Sequence, residues 1–280
     1  MTSGGVDPPG GIRREDLETR TKACGFARPL WQWESVDSTQ EIARSICASA
    51  PHGSTILAGE QLRGRGRRGT IFVSPPGGLY FSMVLDVPDR TTVAWRTGFA
   101  AALAVRSMVR RMGGPELVFD WPNDLIYRHR KVAGILMDYV GSAPADRLIL
   151  GVGVNLGAGP AGRDPSLEKI AAGLGFPASP TSIDDALVFF AQDFAALWPF
   201  LGNEEGWSHI LQRVRRAANF DEPRWVSLAR PDGSIFRGIP SDIAPNGAIL
   251  VRDEAGVLRT IRFGENVTRT HDARAGVREP

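Results

Sequence analysis

Apolar residues alternate with small or polar ones along Leu79 to Val87, a period of two that predicts a strand with one face in a core, ended by Pro88. Ser54 to Glu60, Glu116 to Phe119, Val132 to Val140 and Arg147 to Val154 read as further strands. Between them the spacing changes. Ser38 to about Ala50 predicts a helix, with Ser38 and Glu41 at capping-box spacing and Pro51 after its stop. Phe99 to Met112 predicts a second, closed by Gly113. Ile183, Leu187, Phe190, Phe194 and Leu197 recur at helical intervals, from a cap at Ser182 to a stop at Pro199, and one more helix falls near Trp207 to Arg216.

The texture then changes at Asn219 to Pro223. From Trp225 to Thr268 short β runs are punctuated by Pro231-Asp232-Gly233, Pro245-Asn246-Gly247 and Glu254-Ala255-Gly256, the spacing of a compact barrel. The expected fold class is therefore α+β: a mixed β-sheet with flanking helices, plus a small C-terminal SH3-like β module. Residues 1–30 are expected to form a flexible arm, 31–220 the main domain, 221–272 the β module and 273–280 a tail. The apolar stretch Val93 to Val105 is interrupted by Arg96 and is too short for a membrane span. No apolar segment of the signal-peptide kind opens the chain, so a cytoplasmic protein with no membrane partner is expected.

Composition narrows the function classes. The net charge of +2 over 280 residues is nearly balanced, and the opening arm is too short for a winged-helix domain, so no nucleic-acid partner is expected. Two isolated cysteines and four histidines without ligand spacing exclude a disulfide framework and a structural metal. Of 33 basic residues only Lys22, Lys131 and Lys169 are lysines, a bias that arginine codon preference explains. Each lysine is the more informative for it.

Candidate chemistry concentrates in Gly64-Arg65-Gly66-Arg67-Arg68-Gly69. Alternating glycine and arginine lets backbone approach a ligand closely while guanidinium forks reach round a carboxylate or phosphate. By itself such a run also fits a solvated loop or a nucleic-acid patch. It is followed by Trp121-Pro122-Asn123-Asp124, then Arg130-Lys131-Val132-Ala133-Gly134-Ile135-Leu136, then Gly151-Val152-Gly153-Val154-Asn155.

Together with the helix start at Ser38-Thr39-Gln40, these blocks make the chain resemble a biotin protein ligase, in family order, from about Trp31 to Thr268. The resemblance implies the class II synthetase-like catalytic fold of the biotin/lipoate ligases, in the monofunctional type without a DNA-binding domain. It implies activation of biotin with ATP and Mg²⁺ to biotinyl-5′-AMP, then transfer to a lysine of a biotin carboxyl carrier domain. It assigns biotin contacts to Ser38, Thr39, Gln40, Gln61, Arg65, Gly66, Arg67, Lys131 and Gly134. ATP contacts fall to Arg67, Phe72, Asn123, Asp124, Lys131 and Asn155, with Asp124 also a candidate Mg²⁺-ATP contact, and catalysis to Lys131 and Arg67. Arg68 is expected to face solvent. A homodimer is left open.

Each of these residues has an ordinary structural explanation as well. Ser38 with Glu41 is a capping box, Gln61 a strand end, Phe72 a core residue, Asn123 and Asp124 a turn, Lys131 a basic edge residue and Asn155 a turn asparagine. Two positions depart from the family pattern: Gln40 stands where asparagine is common, and Asp120 where the family has lysine. A carboxylate there should repel phosphates unless Arg65, Arg67 or Mg²⁺ compensates. Two alternatives therefore stay open, a same-fold ligase or transferase for lipoate or octanoate, and a non-catalytic biotin-binding homologue.

Overall fold

The period of two decides which way the main sheet faces. In the computed structural model, which describes residues 7–87, 93–142, 145–222, 224–229, 235–262 and 268–270, Leu79, Phe81, Met83 and Leu85 enter the main core while Val84 turns to the opposite face. Their strand, β4 (Leu79–Asp86), follows β1 (Ile12–Arg13), β2 (Leu30–Val36) and β3 (Thr55–Gln61). It precedes β5 (Val118–Asp120), β6 (Asp124–Tyr127), β7 (Arg130–Ser142) and β8 (Ala145–Val154). The sheet runs β1-β2-β3-β4-β8-β7-β6-β5, with β2 and β3 parallel and the other pairs antiparallel.

Helices α3 (Val93–Arg111), α4 (Pro180–Leu197) and α5 (Glu204–Ala218) cover one face and build the main core with it. Phe81, Phe99, Phe190 and Phe194 are almost fully buried there, each contributing about 1.5–3 kcal/mol by leaving water. The other face carries α2 (Thr39–Ile46), over β3, β4 and β8, above a small second core of Trp31, Ala43, Ile46, Ile56, Val84 and Ile149. Where α2 stops covering it, the face is left open.

The β module consists of β9 (Val226–Ala229), β10 (Ile235–Ile243), β11 (Ile249–Asp253), β12 (Leu258–Ile261) and β13 (Thr268–Thr270). They form one antiparallel sheet ordered β12-β11-β10-β9-β13, with its own core of Val226, Phe236, Ile249, Val251 and Ile261. The Asn246-Gly247 turn forms as expected, Gly247 taking φ +80°. That turn also docks the module: Trp207 Nε1 donates to Pro245 O at 2.8 Å and Trp121 Nε1 to Gly247 O at 2.9 Å. The first six residues of the arm, the Pro88 stop, the Pro231-Asp232-Gly233 turn and the tail lie outside the described residues.

Several expectations are corrected. Residues 12–30 are not a flexible arm: β1 extends the sheet, α1 (Glu15–Arg20) buries Leu17, and Phe26 packs edge-on against Phe194 and Trp198. Too few apolar residues lie there to make a periodic signal. Helix α3 starts six residues early because Arg96 does not break it; its buried guanidinium donates to Leu201 O at 3.0 Å and pairs with Glu204. Helix α4 is capped by Ser179, whose Oγ accepts from Ser182 N at 3.2 Å, because Pro180 occupies the first turn, where a missing N–H costs nothing. Helix α2 ends at Ile46, with 47–49 turning away. Residues 121–123 form a turn, and Asp124 opens strand β6 directly after it.

Candidate active site

The open part of the sheet is floored by glycine. Beneath this opening the residues of β7 and β8 that face away from α3, α4 and α5 are Gly134 and Leu136, and Gly151 and Gly153. A Cβ at Gly153 would stand 2.6 Å from Phe72 Cε1, and one at Gly151 would stand 2.6 Å from Gln40 Oε1. Side chains thus reach down onto bare backbone, and above them lies a cavity of about 550 Å³. All the predicted site residues line it: Ser38, Thr39, Gln40, Gln61, Arg65, Gly66, Arg67, Phe72, Asn123, Asp124, Lys131, Gly134 and Asn155. Arg68 lies at its edge as well, exposed, with φ +56°.

The N-terminus of α2 forms one wall. Thr39 N donates to Gln61 Oε1 at 3.0 Å, Thr39 Oγ1 lies 2.8 Å from Ser82 Oγ, and Ser82 Oγ donates to Gln40 Oε1 at 2.8 Å. Gln40 Nε2 completes the chain on Ile149 O at 3.2 Å. Gln61 Nε2 donates to Ser74 Oγ at 2.9 Å. Buried polar groups satisfied in series hold one another's orientation. The capping box does not form: Ser38 makes no side-chain cap bond, its Oγ is buried without a partner, and Glu41 pairs elsewhere. A buried hydroxyl without a partner costs free energy unless something else bonds it.

The Arg-Gly loop arches from β3. Gly66 N donates to Thr70 O at 2.7 Å and Phe72 N to Gly64 O at 2.9 Å. A Cβ at Gly64 would stand 2.3 Å from Phe72 O, so this tight return admits no side chain there. Arg67 Nη1 reaches Asn123 Oδ1 at 3.1 Å, and burial, with Arg68 nearby, holds the Arg67 guanidinium below its ordinary pKa, against the pull of Asp124. Arg65 pairs with Glu41 on α2.

The third wall joins β5, β6 and β7. Lys131 Nζ lies 2.8 Å from Asp124 Oδ1 and 5.4 Å from the centre of the Phe72 ring. Asn123 Nδ2 donates to Ile135 O at 3.0 Å and to Asp124 Oδ1 at 3.1 Å. Asp120, almost buried, is the cross-strand partner of Asp124, so both positions that depart from the family pattern, Gln40 and Asp120, line the cavity. Asn155 Nδ2 donates to Ala172 O at 3.0 Å, while its buried Oδ1 has no partner.

Sequence reasoning missed Ser74, Ser82 and the wall of 167–171. Ser82 carried a usable signal, since period two puts it on the face of Val84, opposite the core. The wall of 167–171 had none: Lys131 N donates to Ile170 O at 2.8 Å and Ala172 N to Lys131 O at 2.9 Å, a pairing of segments far apart in the chain. Among the described residues no group of three or more His, Cys, Asp or Glu side chains could hold a metal ion, and no helix is long and apolar enough to cross a membrane.

Residues 33–155 match the model of the biotin/lipoate A/B protein ligase family. The chain is 32% identical over 226 residues to biotin--[acetyl-CoA-carboxylase] ligase of Paracoccus denitrificans, covering 79% of this chain and 92% of that protein. It is 30% identical over 239 residues to the bifunctional ligase/repressor BirA of Salmonella typhimurium, covering 82% and 71% respectively. Its fold is similar to that of the biotin protein ligase from Aquifex aeolicus solved in complex with biotin and ATP, with a TM-score of 0.69 and 22% identity, over 85% of this chain and 98% of that one.

Proposed function

The chain belongs to the biotin protein ligase family, and from that premise we propose that it activates biotin with ATP and transfers it to a lysine of a biotin carboxyl carrier domain. The observation that carries this reading is the pair of buried acceptors without partners, Ser38 Oγ and Asn155 Oδ1, lining the same cavity as the Arg65, Arg67 and Lys131 cations. One small cavity offers polar groups to two uncharged rings, and cations to the acid and phosphate between them.

In the first step a carboxylate oxygen of biotin attacks the α-phosphorus of ATP and pyrophosphate leaves. In the second, the carrier lysine amine adds to the acyl carbon and AMP leaves. No enzyme nucleophile is required. The work is positioning and charge stabilisation, for which Lys131 and Arg67 are the catalytic candidates. Ser38, Thr39, Gln40 and Gln61 take the ureido ring. Arg65, Gly66 and Arg67 close over the carboxylate and α-phosphate, beside the Gly134 floor. Phe72, Asn123 and Asn155 take the adenosine. Asp124 is the protein's candidate contact for Mg²⁺, its carboxylate being a hard oxygen donor, and the ion would supply charge neutralisation on the phosphates. All these contacts come from one chain, so a homodimer is not needed to complete the site. The same reading puts the reaction in the cytoplasm.

The test is direct. Protein mixed with biotin and MgATP should release pyrophosphate and accumulate biotinyl-adenylate, and an added carrier domain should gain biotin on lysine. Absence of adenylate at high protein concentration overturns the proposal. A thermal-shift preference for lipoate or octanoate over biotin would move the assignment to the related acids.

A further inference from the structure

Glu41 stands at the position where a capping box would turn its carboxylate back to the start of α2, yet that carboxylate accepts from Arg65 Nη1, across 24 residues of chain. Arg65 lines the cavity and stands on the first arm of the Arg-Gly loop, bridged to Ile71 on the second, just before the turn at Arg67–Gly69. The base of the loop is fastened by backbone, Leu62 N to Val36 O and Arg63 N to Asp37 O, each at 2.8 Å. Beyond that base, side chains hold it from two sides, inward by Arg67 at the turn on Asn123 and outward by Arg65 on the arm below it on Glu41. The loop therefore hangs across the cavity between helix α2 and the β5–β6 wall.

We propose that Glu41 is a positioning residue for the ligation, the outer anchor that holds the Arg-Gly loop closed over the acyl-adenylate and keeps water from it. This rests on the ligase reading above. The side reaction it suppresses is hydrolysis: water adds to the acyl carbon, the bond to the phosphate oxygen breaks, and AMP leaves with biotin regenerated. A loop that must admit two substrates needs a fastening that opens readily, and this one is suited to that. Arg65 and Glu41 side chains are 45% and 50% exposed, the class of ion pair whose loss changes an equilibrium by about twofold to fivefold and which salt screens. Glu41 touches no reacting atom in this scheme; it acts through Arg65.

The experiment compares the wild-type chain with Glu41→Gln, without carrier, and measures AMP release against pyrophosphate released in the first turnover, a ratio independent of how much enzyme is active. The expected result is a ratio raised about twofold to fivefold in E41Q. Raising ionic strength should move the wild type towards the variant and leave the variant flat, which a merely structural role for Glu41 would not produce. Glu41→Asp, which keeps the charge, should lie nearer the wild type. An unchanged ratio in E41Q, or equal salt dependence in both proteins, overturns the anchor while leaving the ligase reading intact. Failure of the wild type to form adenylate overturns the ligase reading itself.

Discussion

Lys131 Nζ and Asp124 Oδ1 are 2.8 Å apart across neighbouring strands β6 and β7. The carboxylate holds the ammonium at the cavity wall, where an entering acid or phosphate must compete for it. Lys131 is thus placed by its own strand, by Asp124 and by the segment around Ile170, before any substrate arrives.

Replacing Lys131 by Ala should slow pyrophosphate release by about a hundredfold, the order seen when a well-placed charge-stabilising donor is removed. Affinity for biotin should change much less. Single-turnover pyrophosphate release beside a biotin titration separates the two, and equal losses in both would contradict a role in the reaction step.

Ser38→Ala tests the partnerless hydroxyl. Losing one uncharged hydrogen bond to ligand should weaken biotin binding by about threefold to tenfold. The thermal midpoint should hardly move, because Ser38 makes no cap bond to lose. A drop of several degrees with unchanged affinity would mean that Ser38 is an ordinary helix cap.

Gly153→Ala adds a methyl group 2.6 Å from the Phe72 ring and should drive that ring off the floor. The chain should fold with unchanged circular dichroism while the KM for ATP rises about tenfold, in line with overpacking costs of about 1–3 kcal/mol. Unchanged nucleotide binding would remove Phe72 from the adenosine site.

Asp120→Asn removes a negative charge from the wall beside Asp124. If phosphates pass that wall, the KM for MgATP should fall at least about threefold, since a unit charge several ångströms away interacts appreciably at intermediate dielectric. A rise in KM would show that the carboxylate assists the nucleotide.

Folding stability should fall on mild acidification because of His52. Its Nδ1 accepts from Asp86 N at 2.9 Å, its ring packs between Phe26 and Trp198, and burial lowers its pKa from the ordinary 6.5. The unfolded chain therefore takes up the proton first. The contribution is complete above about pH 6.5 and is lost as pH falls from there through the folded-state value. Denaturation midpoints from pH 7.5 to 5 should show this slope, and His52→Asn, which keeps an acceptor but does not titrate there, should flatten it.

Features that depend on neighbours along the chain are legible in the amino-acid order. Alternation in Leu79–Asp86 and Ala145–Val154 set which face of the sheet meets the core, and the spacing of Leu187, Phe190 and Phe194 set the buried side of α4. The arginine-glycine, Trp-Pro-Asn-Asp and Arg-Lys blocks named the residues that gather in the cavity. Which partners those residues take is settled by the folded chain. Whether Ser38 caps or stays without a partner, whether Glu41 turns inward or meets Arg65, and whether Arg96 breaks α3 or is buried in it depend on groups many residues away. The docking of residues 12–30 is of the same kind, resting on Phe26 meeting Phe194 and Trp198. Periodicity records which face a side chain presents; a polar group's partner is chosen among everything the fold brings within about 3 Å, and that choice is made only once the chain has closed on itself.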